Sequence, residues 1–433
     1  MRIELAVHHF PPRYTGGAEL RTLRTASHLQ ARGHDVTVTC VEDDFDGPAD
    51  GLVWKEEVYN GLRVRRLWFD RSAAADPFLW EYDNAWVGDY LRQMLSERQP
   101  DVFHLIGGYV LTGRALKAAQ ELGVPTVVTL TDFWFFCPRV QMWRSNDRRC
   151  DALPSAAACA RCLAEERRRY RIPGRLAPGL MDAVWRARRR PAARIEARRA
   201  FLLDALNGAD CIISPSQFLH RFAAEAGVDP ARMRFIRQGR DFPPRAGGVS
   251  ARSPNGALRV GYLGAVVPYK GVHVLVEAVQ RLPRLLLEVS VYGDDAGFPR
   301  YGREIRAHMR RDDRLRYLGV FPKEALGDVL EGLDAVVVPS IWYENSPNVI
   351  LEAFAHRLPV VTSDIGGMAE LVEHEVSGLL FRAGDSADLA RQLRRLAEEP
   401  SLLETLRAGV PPVKSIAAEM DELVEVYRLH RRW

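Results

Sequence analysis

The chain has 433 residues, 47% hydrophobic and 27% charged, which is enough apolar material for two cores and too much for a disordered chain. Its formal net charge of +4 is too small an excess to imply nucleic acid or membrane by itself, and only five of its 60 basic residues are lysine, so any single arginine carries little weight. Six cysteines in so long a chain do not suggest a disulfide scaffold, and with no charged-then-apolar leader and no apolar run near ~18 residues the expected compartment is the cytoplasm.

Residues 3–7 read as an opening strand, followed by a loop from His8 to Gly17, a helix over about 18–32 that Gly33 ends, and a second strand at 36–39. This is the start of a Rossmann-like unit. Its loop carries Gly16-Gly17 rather than G-x-G-x-x-G, which counts against a nicotinamide cofactor. The pair is either a tight turn or a place where backbone can approach a ligand. Asn60-Gly61 predicts a hairpin, residues 80–98 and 113–122 read as helices, and 101–105 and 125–130 as strands. His104 and Asp132 then stand at or just past strand carboxyl ends, where ligands bind in such sheets. A histidine there more often packs or hydrogen-bonds than catalyses, and Asp132 could simply order its turn.

Cys137, Cys150, Cys159 and Cys162 follow in the pattern C-x12-C-x8-C-x2-C. Four thiolates would complete a tetrahedral structural zinc site, and Cys159-x-x-Cys162 has metal-ligand spacing; an iron–sulfur cluster, free thiols or a disulfide are the alternatives. Cys40 and Cys211 read as buried structural residues. Between Arg161 and Arg199 thirteen arginines face Glu165, Glu166, Asp182 and Glu196, with Leu176, Leu180, Met181, Val184 and Trp185 interleaved. Such a segment could lie peripherally on the inner face of an anionic membrane. A solvated helix in an arginine-rich protein is the plainer reading. A strand at 211–214, a helix capped by Ser216 and a strand at 233–236 complete a first domain over 1–240.

Residues 241–257, with Pro243, Pro244, Gly247, Gly248 and Pro254, are the expected linker, followed by a second domain over 258–414 and a final helix from about 415. Strands are expected at 258–263, 288–293 and 315–318, with a loop from Gly264 to Gly271 after the first. Lys270 in that loop is a compact counter-charge for a diphosphate or else a solvated turn lysine. Residues 335–338 form a β-branched run of the kind buried in parallel sheets. Ser346 is then a good N-cap and Pro347 suits the first helical position, so the N–H groups of Asn348, Val349 and Ile350 should point out of a phosphate-attracting terminus. A strand at 359–363 follows, with 364–367 as its loop. Asn348, Glu352 and His356 recur every four residues, as on a solvated helix face. Yet their neighbours are apolar, and a carboxylate near an anion-binding terminus needs a neutral or cationic partner such as a sugar diol.

Glu344 and Glu352, with seven residues between them, resemble the E-x7-E motif of the family 4 retaining glycosyltransferases. The likeness extends through Pro339-Ser340, Asn345-Ser346-Pro347, Glu352-Ala353, Pro359-Val360-Val361 and Gly366-Gly367-Met368-Ala369-Glu370. It implies an α/β GT-B fold, two Rossmann-like domains facing across a cleft, with a UDP- or GDP-type nucleotide-sugar held mainly by the second. A sugar passes with retention to a hydroxyl acceptor, with no catalytic cofactor or divalent metal and no nucleic acid partner. Glu344 is then placed on the transferred sugar and Glu352 on the ribose, with Gly264, Asn345, Ser346, Pro347, Asn348, Val349, Gly366 and Gly367 around the donor. Pro11, Pro12, Gly16, Gly17, Ala18 and Glu19 match an opening that borders the diphosphate and acceptor. Residues 131–139 resemble a His-Asp-Phe-Trp stretch of the family with Thr131 in place of the histidine, and Ala265 stands where the family usually has arginine. The final helix would cross back to the first domain. An anion- or nucleic-acid-binding protein and a nicotinamide oxidoreductase are the competing classes, and neither accounts for the run from Glu344 to Gly367.

Overall fold

The computed structural model describes residues 1–242 and 256–431. The expected linker therefore lies mostly outside the described residues, its Pro243, Pro244, Gly247, Gly248 and Pro254 included. The chain divides into two compact units, Met1–Arg237 with the stretch from Ala417 onward, and Gln238–Ile416.

In the first unit the strands are β1 (Arg2–Val7), β2 (Asp35–Asp43), β3 (Val53–Tyr59), β4 (Leu62–Trp68), β5 (Val102–Ile106), β6 (Thr126–Thr129), β7 (Cys211–Ser214) and β8 (Met233–Phe235). They form one sheet in the order β3-β4-β2-β1-β5-β6-β7-β8. All neighbours are parallel except the β3–β4 hairpin. The hairpin turns on Asn60 and Gly61, with φ of 50° and 77°, the two positive values that a tight two-residue loop requires. β5, β6 and β7 are buried along their whole length, as expected of parallel strands covered on both faces.

The helix predicted over 80–98 is split. A short helix, Pro77–Trp80, comes first, and Ala85–Arg98 starts afresh because the Asn84 side chain accepts the N–H groups of Trp86 and Val87 at 3.0 and 3.3 Å. The arginine-rich segment folds as Ala156–Ala164, Arg168–Leu176, Pro178–Ala187 and Arg189–Asn207. Among the described residues no helix is long and apolar enough to cross a membrane. The last helix, Ile416–His430, is tied into this unit by Arg21, whose Nη2 lies 2.6 Å from Glu419 Oε1.

The second unit contains β9 (Leu258–Leu263), β10 (Leu287–Tyr292), β11 (Leu315–Gly319), β12 (Ala335–Val338), β13 (Val360–Ser363) and β14 (Gly378–Phe381). They pair in parallel in the order β11-β10-β9-β12-β13-β14. Val260, Val289, Val291, Val337, Val361 and Leu379 build the core beside helices that include Val272–Gln280 and Ser386–Glu398. Chain order reverses between β1 and β5 in one unit and between β9 and β12 in the other. Loops leaving the carboxyl ends of such a pair diverge and open a crevice, which is where open α/β sheets hold ligands.

Candidate functional site

In the second unit the loops after β9 and β12 meet across that reversal. Gly271 has a φ of 74° and an added Cβ would lie 1.9 Å from the Pro339 carbonyl oxygen, so only glycine permits the approach. Ile341 N–H then donates to the Tyr269 carbonyl at 2.9 Å, and the Tyr269 and Trp342 rings lie 4.7 Å apart.

The contact brings Lys270 Nζ onto Glu344 Oε1 as an ion pair. The same oxygen accepts Ser340 Oγ–H at 3.0 Å and Trp342 Nε1–H at 2.9 Å. Burial pushes the Glu344 carboxyl up, but the Lys270 charge and the three donors together hold it below the usual carboxylate range. Glu344 is therefore ionised at neutral pH, and Lys270 is a committed partner rather than a free counter-charge. A diphosphate arriving here would have to share it.

The helix carrying Glu352 is Asn348–Ala355, one residue shorter at its start than predicted. Pro347, not Ser346, occupies the cap position, and no side chain caps the helix. Ile350 N–H is turned onto the Pro347 carbonyl at 3.2 Å, so the terminus presents fewer outward N–H groups than expected. Ser346 Oγ is buried and meets no hydrogen-bond partner among the described residues. Gln238 fills the place beside it, Nε2 donating to the Ser346 carbonyl at 3.2 Å and to Asn348 Oδ1 at 2.7 Å. Arg240 Nη2 lies 3.3 Å from Glu352 Oε1. Glu352 thus already has a cationic partner within its own unit, where a sugar diol was the expectation.

Gly366 and Gly367 begin the helix Gly366–Leu371 instead of a loop. Gly367 N–H donates to the Glu344 carbonyl at 2.8 Å, and an added Cβ there would lie 1.9 Å from the Asn345 carbonyl oxygen. Glu344 and Asn345 are therefore fixed by backbone as well as by side chains. Gly264 directly follows β9, and Gly293 lets the loop after β10 close on it: a Cβ on Gly293 would sit 1.8 Å from the Gly264 carbonyl oxygen. Ala265, where a second cation was expected, accepts Tyr262 Oη–H on its carbonyl at 2.7 Å.

A second polar group gathers in the first unit at the β1–β5 reversal. His8, directly after β1, has Nε2 3.3 Å from Glu19 Oε1, and its buried Nδ1 meets no partner among the described residues. Burial raises the Glu19 carboxyl, but the hydrogen bond and charge of His8, a backbone hydrogen bond and the His9 charge together outweigh it, and the net shift is downward. Gly16 caps the helix Gly17–Ala31, with the Glu19 carboxylate folded over it so that a Cβ would meet Oε2 at 2.6 Å; beside Gly17 there is open space. Asp132 orders its own turn, Oδ1 accepting Trp134 N–H at 2.7 Å and Oδ2 accepting Thr131 Oγ–H at 3.2 Å. Burial, partly opposed by those bonds and by His8, raises its carboxyl.

His104 takes the packing and hydrogen-bonding role that its position favoured over a catalytic one. Its Nδ1 lies 2.6 Å from Tyr427 Oη and its Nε2 2.8 Å from Thr129 Oγ, so both ring nitrogens are engaged in the core and neither is left for a substrate. Burial, helped by the Arg21 charge, pushes it down to about 3.

The four cysteines line one small cavity of about 20 Å³ with Phe136, Met142 and Trp143. All are free thiols. Among the described residues no group of three or more His, Cys, Asp or Glu side chains is placed to hold a metal, so the geometry does not support the expected zinc. Their sulfurs turn instead to N–H donors: Arg144 Nε to Cys150 at 3.3 Å, Arg199 Nη2 to Cys159 at 3.2 Å, Ser145 N to Cys162 at 3.3 Å. Burial pushes Cys159 up to about 11.

Sequence reading passed over Gln238, Arg240 and His8. The first two act on partners 108 to 112 residues away and carry no local signal, whereas a histidine placed at the end of a strand that opens a Rossmann-like unit was a signal left unused.

Two family models match the chain. The model described as "Glycosyl transferase 4-like domain" matches residues 16–239, about half of the chain, and "Glycosyl transferases group 1" matches residues 257–399. A D-inositol 3-phosphate glycosyltransferase of Streptomyces bingchenggensis is 30% identical over 230 residues, 48% of this chain and 50% of that protein. An alpha-D-kanosaminyltransferase of Streptomyces kanamyceticus is 29% identical over 173 residues, 39% of this chain and 44% of that protein. The chain thus spans about half the length of the curated relatives it matches. Among solved structures, Anabaena Alr3699/HepE in complex with UDP superposes with a TM-score of 0.67 at 19% identity, covering 99% of this chain and 100% of that one. Sucrose-phosphate synthase from Thermosynechococcus elongatus gives 0.64 at 17%, covering 99% of each. With two parallel-sheet α/β units, the fold of GT-B glycosyltransferases, and a family model covering half its length, the chain belongs to the glycosyl transferase 4-like family.

Proposed function

We propose that the protein transfers a sugar, with retention of configuration, from a nucleoside diphosphate to a hydroxyl acceptor. The observation that carries this is the Lys270–Glu344 pair seated on the two loops that meet across the β9–β12 reversal, with Glu352 on the helix just beyond. In the proposed reaction the bond between the anomeric carbon and the diphosphate oxygen breaks while the acceptor oxygen bonds to the same face. The acceptor proton passes to a phosphate oxygen of the departing diphosphate, so no protein nucleophile is consumed. Lys270 stabilises the leaving charge and Glu344 the positive character on the sugar, each already in place before reaction. Gly16, Gly17, His8 and Glu19 are assigned to the acceptor and diphosphate side, and Tyr269 and Trp342 to apolar contact with the donor.

A UDP-type donor is favoured over GDP because structural neighbours are described with UDP and with UDP-glucose. Thermal shift with UDP, GDP, ADP, NAD and single-stranded RNA tests the class. A nucleoside diphosphate at about 100 times its Kd should add roughly 2.7 kcal/mol; stabilisation by NAD alone or RNA alone would overturn the reading.

Glu352→Gln separates binding from chemistry. A ribose contact is equally strong before and during the transition state, so the donor KM is expected to rise about 10-fold with kcat nearly unchanged. A drop in kcat at constant KM would move Glu352 to the reacting sugar.

A further inference from the structure

The arginine-rich helices of the first unit border an open cavity of about 540 Å³, within the size range of small-molecule sites. Phe78, Leu163, Trp185 and Ile195 give it an apolar floor, and Arg167, Arg188, Arg190 and Arg194 stand at its rim. No acidic residue lines it. Arg194 is paired with Asp76. Among the described residues no carboxylate lies within ion-pair distance of Arg167, Arg188 or Arg190, and the Arg188 guanidinium rests over the Trp185 ring at 4.8 Å.

Trp185 is 4% exposed and lies with its ring under Arg188. The walls thus offer guanidinium donors over hydrocarbon and no carboxylate to receive them. Inorganic phosphate would leave the floor empty, and a neutral hydrocarbon would leave the donors unmet.

We propose that this cavity binds one amphipathic anion, a phosphate or carboxylate head held by Arg188 and Arg190, with the adjoining hydrocarbon on Phe78, Leu163 and Ile195. The assignment does not depend on the sugar-transfer reading. Such a head group could come from a freely dissolved ester or from a lipid in a membrane. Exposed Leu176 and Leu180 on the neighbouring helices make the second source worth a separate arm.

The test is calorimetric titration of the full chain, below the critical micelle concentration, with dodecyl phosphate, inorganic phosphate and the neutral dodecyl maltoside. One dodecyl phosphate per chain is expected, with each of the other two at least 10-fold weaker. Arg188→Gln with Arg190→Gln should weaken dodecyl phosphate about 10-fold or more. Circular dichroism should be unchanged in the variant. Equal binding of the neutral amphiphile, or affinity untouched by the two arginine changes, would overturn the site. Cosedimentation with phosphatidylglycerol vesicles that is lost in the double arginine variant supports the site with lipid as the source. Binding of the monomeric ester without cosedimentation supports it with a soluble ligand.

Discussion

Lys270→Ala is expected to lower kcat by about 10²-fold or more, the scale of losing one preorganised electrostatic contact to a charge that develops during reaction. Glu344→Gln should also act mainly on kcat. Gln keeps an acceptor for Ser340 and Trp342, while Lys270, about a quarter exposed, can turn to water. The two losses will not add. Lys270 holds Glu344 ionised against its burial, so Lys270→Ala also pushes the Glu344 carboxyl upward and moves the acid limb of the kcat profile to higher pH. Groups sharing one oxygen form a unit, and the double variant should lose less than the product of the single losses. Steady-state kinetics of the four proteins with a saturating donor measure this. Full turnover in Lys270→Ala would assign the leaving-group charge to another cation, and strictly multiplicative losses would mean the pair acts as two independent groups.

How far the sequence carried depends on the range of the interaction. The run of residues 335–338 announces a strand because a parallel strand buried on both faces must be apolar throughout, and the structure places β12 there. The hairpin at Asn60-Gly61 was legible because two positive φ values leave few other residue choices. Caps were less legible. Ser346 and Asn84 are both good N-caps by composition, yet Asn84 starts a helix and Ser346 is buried without one, since tertiary packing around Gln238 decides the second case. Partners of charged groups were not legible at all: Lys270 lies 74 residues from Glu344 and Arg240 112 from Glu352. The family likeness named the glutamates but not what neutralises them. The cysteine spacing suggested a metal, and only the packed side chains show each sulfur facing an N–H donor instead.

Acid unfolding of the first unit is expected to be governed by two buried groups whose effects oppose. His104 titrates at about 3 in the folded protein and near 6.5 unfolded. The unfolded chain therefore binds the extra proton, and stability is lost as pH falls below 6.5, at roughly 1.4 kcal/mol per unit down to pH 3. Glu4 is the reverse. It sits at the foot of β1, accepts Thr39 Oγ–H at 2.7 Å and lies 3.2 Å from Arg98 Nε, yet burial outweighs that charge and raises it from 4.5 to about 7. Its contribution is full below pH 4.5 and is lost as pH rises through 7. Between pH 6.5 and 4.5 the two slopes are of similar size and opposite sign, so the native protein should show a nearly flat stability there. Below 4.5 His104 acts without its counterweight, and stability should fall steeply, by roughly 2 kcal/mol before pH 3. Glu4→Gln removes one slope, and its stability is expected to fall with pH across the 6.5 to 4.5 window. His104→Gln removes the other and should become more stable across that window, even if it starts lower because Tyr427 and Thr129 lose a partner. Urea midpoints of the three proteins at pH 4.5, 5.5 and 6.5 decide the matter. Parallel profiles for all three would show that neither group carries the acid response and that the surface carboxylates do.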